Sequence, residues 1–112
     1  MANPNGRKGA AWERAVADYL RDVGGFEFAD RRVKTGAKDK GDIAGIRNHA
    51  VEAKDEKAIS LSSYMKELEV EMQNAGAEFG AAIVKRRTYN VSEAYCVTPL
   101  RLWVAERKLI LA

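Results

Sequence analysis

Two acidic residues and a lysine in one short stretch are the side chains of this sequence best suited to chemistry. Asp42 precedes a short apolar run, residues 43–46, and Glu52 lies in a second run, residues 50–53, that Lys54 follows. Carboxylates are hard oxygen ligands of the kind Mg²⁺ prefers, and this ion keeps positions open for water and phosphate. The ion lowers the pKa of its bound water, and a nearby lysine can orient or deprotonate that water or stabilise developing charge. The combination therefore suits phosphodiester hydrolysis.

The two apolar runs predict a β-hairpin, because a polar turn at residues 47–49 separates them. Strand side chains alternate between faces, so Glu52 and Lys54 should point the same way, roughly 6–7 Å apart. Asp42 and Lys54 both lie near the open end. The hairpin can thus bring the two acids and the lysine together, although the sequence leaves its register open.

The spacing of an acid, any residue and a lysine is a short pattern, and it occurs three times. The three occurrences are Glu52 with Lys54, Asp55 with Lys57, and Glu106 with Lys108. Chance explains such tripeptides in a chain of which 31% is charged. Only the first lies in an apolar run, about ten residues after the acid that precedes another. The alternative interpretation is a solvated ion pair on an exposed strand.

Composition indicates a single folded domain, since the 112 residues are 46% hydrophobic. The net charge of +3 permits nucleic-acid binding without demanding it. A single cysteine, Cys96, allows no internal disulfide and fits a reducing compartment. Neither a membrane-length apolar run nor an apolar signal region occurs, so we expect a cytoplasmic protein without a membrane partner.

The first element is predicted to be a helix from about Gly9 to the stop at Gly24 and Gly25. Its core face should be formed by Trp12, Val16, Tyr19, Leu20 and Val23. Glu13 lies on the flank of that face, where it is either an ordinary boundary glutamate or a side chain that looks towards a site. The polar residues 1–8 are expected to be flexible.

The later elements alternate between strands and helices. We predict strands at residues 26–33, 79–84 and 93–97, a helix at residues 61–75 between Ser60 and Gly76, and a last helix from Thr98 and Pro99. Phe26, Phe28 and Val33 are core candidates. With the hairpin, this order predicts an α/β fold with a mixed central sheet flanked by helices.

Two faces of the later helices bear on packing. Leu100, Trp103 and Val104 should line one face of the last helix, with Leu102 nearly opposite. Outward-facing apolar residues are individually normal. Several of them together could form an apolar patch that binds a partner. The expected members of this patch are Val70, Leu102 and either Tyr64 or Met65.

Basic residues surround the acidic stretch, and residues 34–41 form a lysine-rich loop that leads into it. Such residues neutralise a phosphate backbone, and small neighbours let it approach closely. The candidate contacts to nucleic acid are Arg7, Lys8, Arg31, Arg32, Lys34, Lys38, Lys40, Lys85, Arg86 and Arg87. The alternative is a solvated loop whose lysines only aid solubility.

Together these motifs resemble the PD-(D/E)XK nuclease superfamily, and within it the archaeal-type and phage Holliday junction resolvases. The resemblance covers nearly the whole chain. It includes GAAWER at residues 9–14, GDI at 41–43, VEAK at 51–54 and AGAEFGAAIVK at 75–85. One departure is Lys40-Gly41, which replaces the proline that often precedes the aspartate.

The resemblance implies one nuclease-like domain over residues 1–112 with a restriction-endonuclease-like core. It implies Mg²⁺, which Mn²⁺ could replace, and cleavage of branched double-stranded DNA at four-way junctions. By analogy the metal ligands would be Glu13, Asp42, Glu52 and the carbonyl of Ala53, and the catalytic set Glu13, Asp42, Glu52 and Lys54. The protein would act in the cytoplasm, which for a phage protein is the cytoplasm of the host cell.

A homodimer is expected, because a four-way junction must be cut on two strands and a two-fold dimer matches its symmetry. Two other functions stay open. One is a flap, repair or restriction-type nuclease of the same fold. The other is a non-catalytic nucleic-acid-binding module with incidental acids, against which the intact set of acids and lysine argues.

Overall fold

A five-stranded mixed sheet with helices on both faces forms the core of the computed structural model, which describes residues 4–112, with side chains from residue 9 onward. The helices are α1 (Pro4–Asp22), α2 (Leu61–Ala75) and α3 (Leu100–Leu111). The strands are β1 (Asp30–Arg31), β2 (Ile43–Ala44), β3 (His49–Lys54), β4 (Phe79–Val84) and β5 (Tyr95–Val97). The α/β fold predicted from the sequence is thus confirmed.

The strands follow the order β1-β2-β3-β4-β5 across the sheet. Only β3 and β4 are parallel, and α2 makes the crossover between them; the other neighbours are antiparallel. The predicted hairpin is confirmed as β2 and β3, with Ile43 opposite Val51. Asn48, in its turn, has a φ of 63°, a left-handed conformation that asparagine tolerates.

Helix α1 covers one face of the sheet, while α2 and α3 cover the other. Because strand side chains alternate, Val51 of β3 packs with Trp12 and Val16 of α1. Ala50, its neighbour, packs with Leu68 of α2 on the opposite face. The next residues of β3 on that second face are Glu52 and Lys54, so the fold directs both towards α2.

Glycine at position 80 lets α2 approach the parallel strands closely. A Cβ there would lie 2.8 Å from the carbonyl oxygen of Ala50 and 2.9 Å from Leu68. No real side chain tolerates both contacts without a shift of the backbone. The sequence predicted α2 and β4 with the bounds observed here, because each has a strong apolar pattern.

The predicted strand at residues 26–33 is wrong except for Asp30–Arg31. Phe26, Phe28 and Val33, taken as core candidates, are all exposed. Strand β2, which pairs with β1, has only two residues, so this edge of the sheet offers little surface to cover the three side chains. Helix α1 also begins earlier than expected, at Pro4, and ends before the exposed Val23.

Helix α3 packs with the face opposite to the predicted one. Leu102 is only 7% exposed and packs against Leu68 and Phe79, whereas Leu100 is 75% exposed. Trp103 and Val104 are also exposed. Because this helix carries apolar residues on both sides, the pattern did not say which side meets α2.

The expected outer patch is therefore wrong as well. Leu102 and Tyr64 are buried, Met65 is half-buried, and only Val70 of that set is exposed.

None of the helices in the described part of the chain combines the length and apolar character that a membrane span requires.

The packing of α3 predicts unequal effects of two leucine substitutions. Leu102→Ala should lower the free energy of unfolding by about 2–5 kcal/mol, because it opens a cavity between α3, α2 and β4. Leu100→Ala, the matched control, should change it by less than about 0.5 kcal/mol. Urea unfolding of both variants measures the difference, and equal losses would contradict this packing.

Candidate metal centre

Asp42, Glu52 and Lys54 lie near one another at the open end of the β2–β3 hairpin, where the charges of Asp42 and Lys54 both act on Glu52. Asp42 and Glu52 are both buried. Glu52 and Lys54 point the same way, as predicted, and the Nζ of Lys54 lies 3.5 Å from Oε2 of Glu52. The hairpin thus places opposite charges side by side at the edge of the core.

Asp42 is held by two donors. The backbone N–H of Ala53 donates to its Oδ2 at 3.0 Å, and Nζ of Lys34 donates to its Oδ1 at 2.7 Å. Lys34 comes from the basic loop, and its hydrogen bond to Asp42 helps to raise the pKa of this lysine. The carboxylate charge of Asp42 is therefore balanced by a lysine that itself reaches solvent.

A third buried acid, Glu71 of α2, faces Glu52 and was missed in the sequence. Oxygens of Asp39, Glu52 and Glu71 lie within 4.8 Å of one another and could hold a metal ion. Oε1 of Glu52 and both carboxylate oxygens of Glu71 are buried, and within the described residues they have no hydrogen-bond partner outside this pair, in which one carboxyl can donate to the other when it is protonated. Such orphaned oxygens fit a cation, because a buried carboxylate needs a compensating charge or donor.

Burial raises the pKa of both Glu52 and Glu71 above the ordinary range of a glutamate. The neighbouring carboxyl of Glu52 raises the pKa of Glu71 further. Two close carboxylates without a cation between them repel each other, so ionising both of them at once is disfavoured. The pair should therefore retain a proton more readily than solvated glutamates do.

Lys54 lies between two carboxylates. Its Nζ is 2.5 Å from Oε2 of Glu67 on α2 and lies over the ring of Tyr64, 5.2 Å from the ring centre. Burial by itself would lower the pKa of Lys54, but the hydrogen bond to Glu67 and the charge of Glu52 outweigh it and raise the pKa. Lys54 is thus a fixed positive charge with an oriented ammonium group.

Glu13 is not brought into the carboxylate group. It is half-buried on α1, and its Oε1 accepts a hydrogen bond from Nε of Arg31 at 3.1 Å. It influences the site through the charge of Lys34, on whose pKa it acts. Its role as a metal ligand, and that of the Ala53 carbonyl, stay predictions of the resemblance.

The basic loop lies beside the acids. Residues 32–41, which include Arg32, Lys38 and Lys40, line a cleft of about 250 Å³, and Lys34 of this loop donates to Asp42. The loop is tied to α2, because Nδ2 of Asn74 donates to the carbonyl of Asp39 at 2.8 Å. The predicted proximity of this loop to the carboxylates is therefore present in the fold.

The second basic cluster follows β4. Lys85 and Arg87 both reach the carboxylate of Asp55, at 3.8 and 3.1 Å. The guanidinium of Arg86 lies 3.8 Å from the ring centre of Tyr89. These cations belong to an interaction network rather than extending freely into solvent. The side chains of Arg7 and Lys8, also predicted as nucleic-acid contacts, lie outside the described residues.

A weak signal for Glu71 was present in the sequence. Glu67 and Glu71 are four residues apart on α2, and Glu71 follows the buried Leu68 by three, which places it beside the core stripe. An acid in that position is usually a boundary residue. Nothing in the sequence shows that this flank meets Glu52, because that contact depends on how α2 crosses the sheet.

Comparison of the chain with protein-family models, with curated proteins and with solved structures gives no significant match.

The carboxyl pair predicts how stability depends on pH. A carboxyl whose pKa is raised by folding stabilises the fold at low pH, and that contribution is lost as the pH rises from about 4.3 through its value in the folded protein. In buffer with EDTA, the free energy of unfolding should fall between pH 5 and 8 by on the order of 1 kcal/mol more for the wild type than for Glu71→Gln. Urea unfolding across this range measures it, and parallel curves would contradict the raised pKa values.

Proposed function

We propose that this protein is a Mg²⁺-dependent, structure-selective DNA endonuclease of the Holliday junction resolvase kind, acting on four-way junctions. The observation that carries the proposal is the meeting of Asp42, Glu52 and the charged Lys54 at one end of the hairpin. The buried carboxyl pair of Glu52 and Glu71, which no outside donor reaches within the described residues, lies at the same place. Acids and a lysine in this arrangement suit hydrolysis of a phosphodiester better than they suit a purely structural role.

The donor set fits a hard divalent ion. Asp42 and Glu52 would hold Mg²⁺, or Mn²⁺ in its place, together with Glu13 and the carbonyl of Ala53 as the resemblance implies. Such an ion, when bound, supplies a water of lowered pKa and positive charge beside the phosphate. In the protein alone, Lys34 and Arg31 occupy Asp42 and Glu13. Both cations can turn to the DNA backbone and leave these acids free for the metal.

Lys54 acts as a donor and a counter-charge rather than as a base. Its ammonium is charged and is oriented by Glu67, so it can donate to a non-bridging oxygen of the attacked phosphate. A preorganised charge of this kind stabilises the negative charge that develops during attack, and contributes about 10²–10³-fold to the rate. Of the three roles that the sequence left open for this lysine, the electrostatic one suits its surroundings best.

The basic residues give the DNA a path past the carboxylates. Lys38 and Lys40 lie on the basic loop, while Lys85, Arg86 and Arg87 follow β4 and would exchange their contacts with Asp55 and Tyr89 for phosphate. Phosphate contacts of this kind position a duplex without reading its bases. They are consistent with selection of a DNA structure rather than of a sequence.

The proposed working form is a homodimer, since two sites related by a two-fold axis match the symmetry of a four-way junction. The exposed side of α3 is the best surface for the second copy. Leu100, Trp103 and Val104 are exposed there, and the apolar residues of its last turn, Leu109, Ile110 and Leu111, extend the same helix. A concentration of exposed apolar side chains on one helix is characteristic of interaction surfaces.

The proposed mechanism predicts that Asp42→Asn lowers the rate of junction cleavage by about 10²-fold or more, while the fold and DNA binding persist. The neutral amide keeps the shape of the side chain but is a poor ligand for Mg²⁺. Asp22→Asn, an exposed change at the end of α1, is the control and should retain activity. Strand cleavage measured on gels, with circular dichroism and a binding assay, tests all three properties.

Metal exchange gives a second arm of the same test. Ca²⁺ should support binding of the junction but little cleavage, because its looser coordination positions water poorly. Activity that survived excess EDTA, or full activity of Asp42→Asn, would contradict the proposed function.

A further inference from the structure

Asp39, Glu52 and Glu71 come together from three separate parts of the fold. Glu52 lies on β3, Glu71 on α2, and Asp39 on the loop before β2. The loop residue is held in place, because Asn74 donates to its carbonyl and the N–H of Gly41 donates to its Oδ1 at 2.9 Å. The convergence therefore depends on specific hydrogen bonds as well as on the packing of α2.

Glu71 is the unusual member of the group. It is 1% exposed, and apart from the facing carboxyl of Glu52, with which it can share a proton, no donor among the described residues reaches its carboxylate oxygens. Glu52 is 4% exposed, and its Oε1 also lacks a partner. Burial of two facing acids without an outside donor disfavours their ionised forms, so the pair either shares a proton or is stabilised in its charged form by a shared cation.

The oxygens have the spacing of a cation site. Two ligands on opposite sides of an ion are separated by twice the metal–oxygen distance, about 4.2 Å for Mg²⁺ and about 4.6–5.2 Å for Ca²⁺. The oxygens of the three acids lie within 4.8 Å of one another. The backbone of Gly41 passes beside them, since a Cβ at that position would lie 2.9 Å from the carbonyl oxygen of Val51 and 3.4 Å from Oε2 of Glu71.

We propose that Asp39, Glu52 and Glu71 form a divalent-cation site distinct from the one expected at Asp42, with Glu71 as the ligand that α2 contributes. Asp42 is not a member of this group of close oxygens, and its own carboxylate accepts from Lys34 and from the N–H of Ala53. An ion at this site links α2 and the basic loop to the hairpin, and shares Glu52 with the site expected at Asp42. Its binding requires no DNA, so it does not depend on the proposed endonuclease activity.

The test is calorimetric titration of Mn²⁺ into the full chain without DNA. Glu71→Gln and Asp39→Asn should each weaken binding at this site by about tenfold or more, since even residues that only support metal ligands contribute 10–100-fold. Asp42→Asn should retain it within about threefold, and so should Glu78→Gln, an exposed control just beyond α2. Asp39 is exposed, so its substitution tests the site without disturbing the core.

A thermal melt with and without Mn²⁺ provides a second readout, because an ion that binds only the folded chain raises the melting temperature. That rise should persist in Asp42→Asn and disappear in Glu71→Gln. The proposal is overturned if Glu71→Gln or Asp39→Asn binds Mn²⁺ within twofold of the wild type. It is equally overturned if Asp42→Asn and Glu71→Gln lose the same single ion. A wild type that binds Mn²⁺ here but cleaves no junction would count against the proposed function alone.

Discussion

The parallel pairing of β3 with β4 is the constraint on which the arrangement of this protein depends, and it makes two buried carboxyl groups, Glu52 of β3 and Glu71 of α2, face each other. Their meeting follows from the parallel pairing of β3 with β4, because the crossover helix must then lie over the face of β3 that carries Glu52. Gly80 permits the close approach of α2 to the strands. The core packing and the acidic group are thus two results of the same geometry.

The charge around this pair is distributed in layers. Lys54 and Lys34 flank the buried acids, and each is held by a carboxylate, Lys54 by Glu67 and Lys34 by Asp42. The basic loop that carries Lys34 extends towards solvent. Negative charge is concentrated in the interior, where a small cation fits, while positive charge lies outside it, where a polyanion can approach. This arrangement is what the proposed endonuclease needs, and it explains why a mildly basic chain buries acids.

The sequence was informative where an element has a single apolar face that can pack against the core. The hairpin, α2 and β4 were predicted well, and so was the shared direction of Glu52 and Lys54. It was less informative where packing decides between equal patterns: Leu102 rather than Leu100 is buried, and Phe28 is left outside the sheet. Glu71 could not be placed, because its contact with Glu52 is set by the crossing of α2 over the strands and not by spacing along the chain.

Incubation of the protein with a synthetic four-way junction and with a duplex of matched sequence, each with and without Mg²⁺, tests the central claim most directly. A junction-selective endonuclease of the proposed kind cleaves paired strands of the junction only when Mg²⁺ is present and leaves the duplex intact. Cleavage of the duplex at an equal rate would indicate a nuclease of another substrate class. Binding of the junction without any Mg²⁺-dependent cleavage would contradict the account.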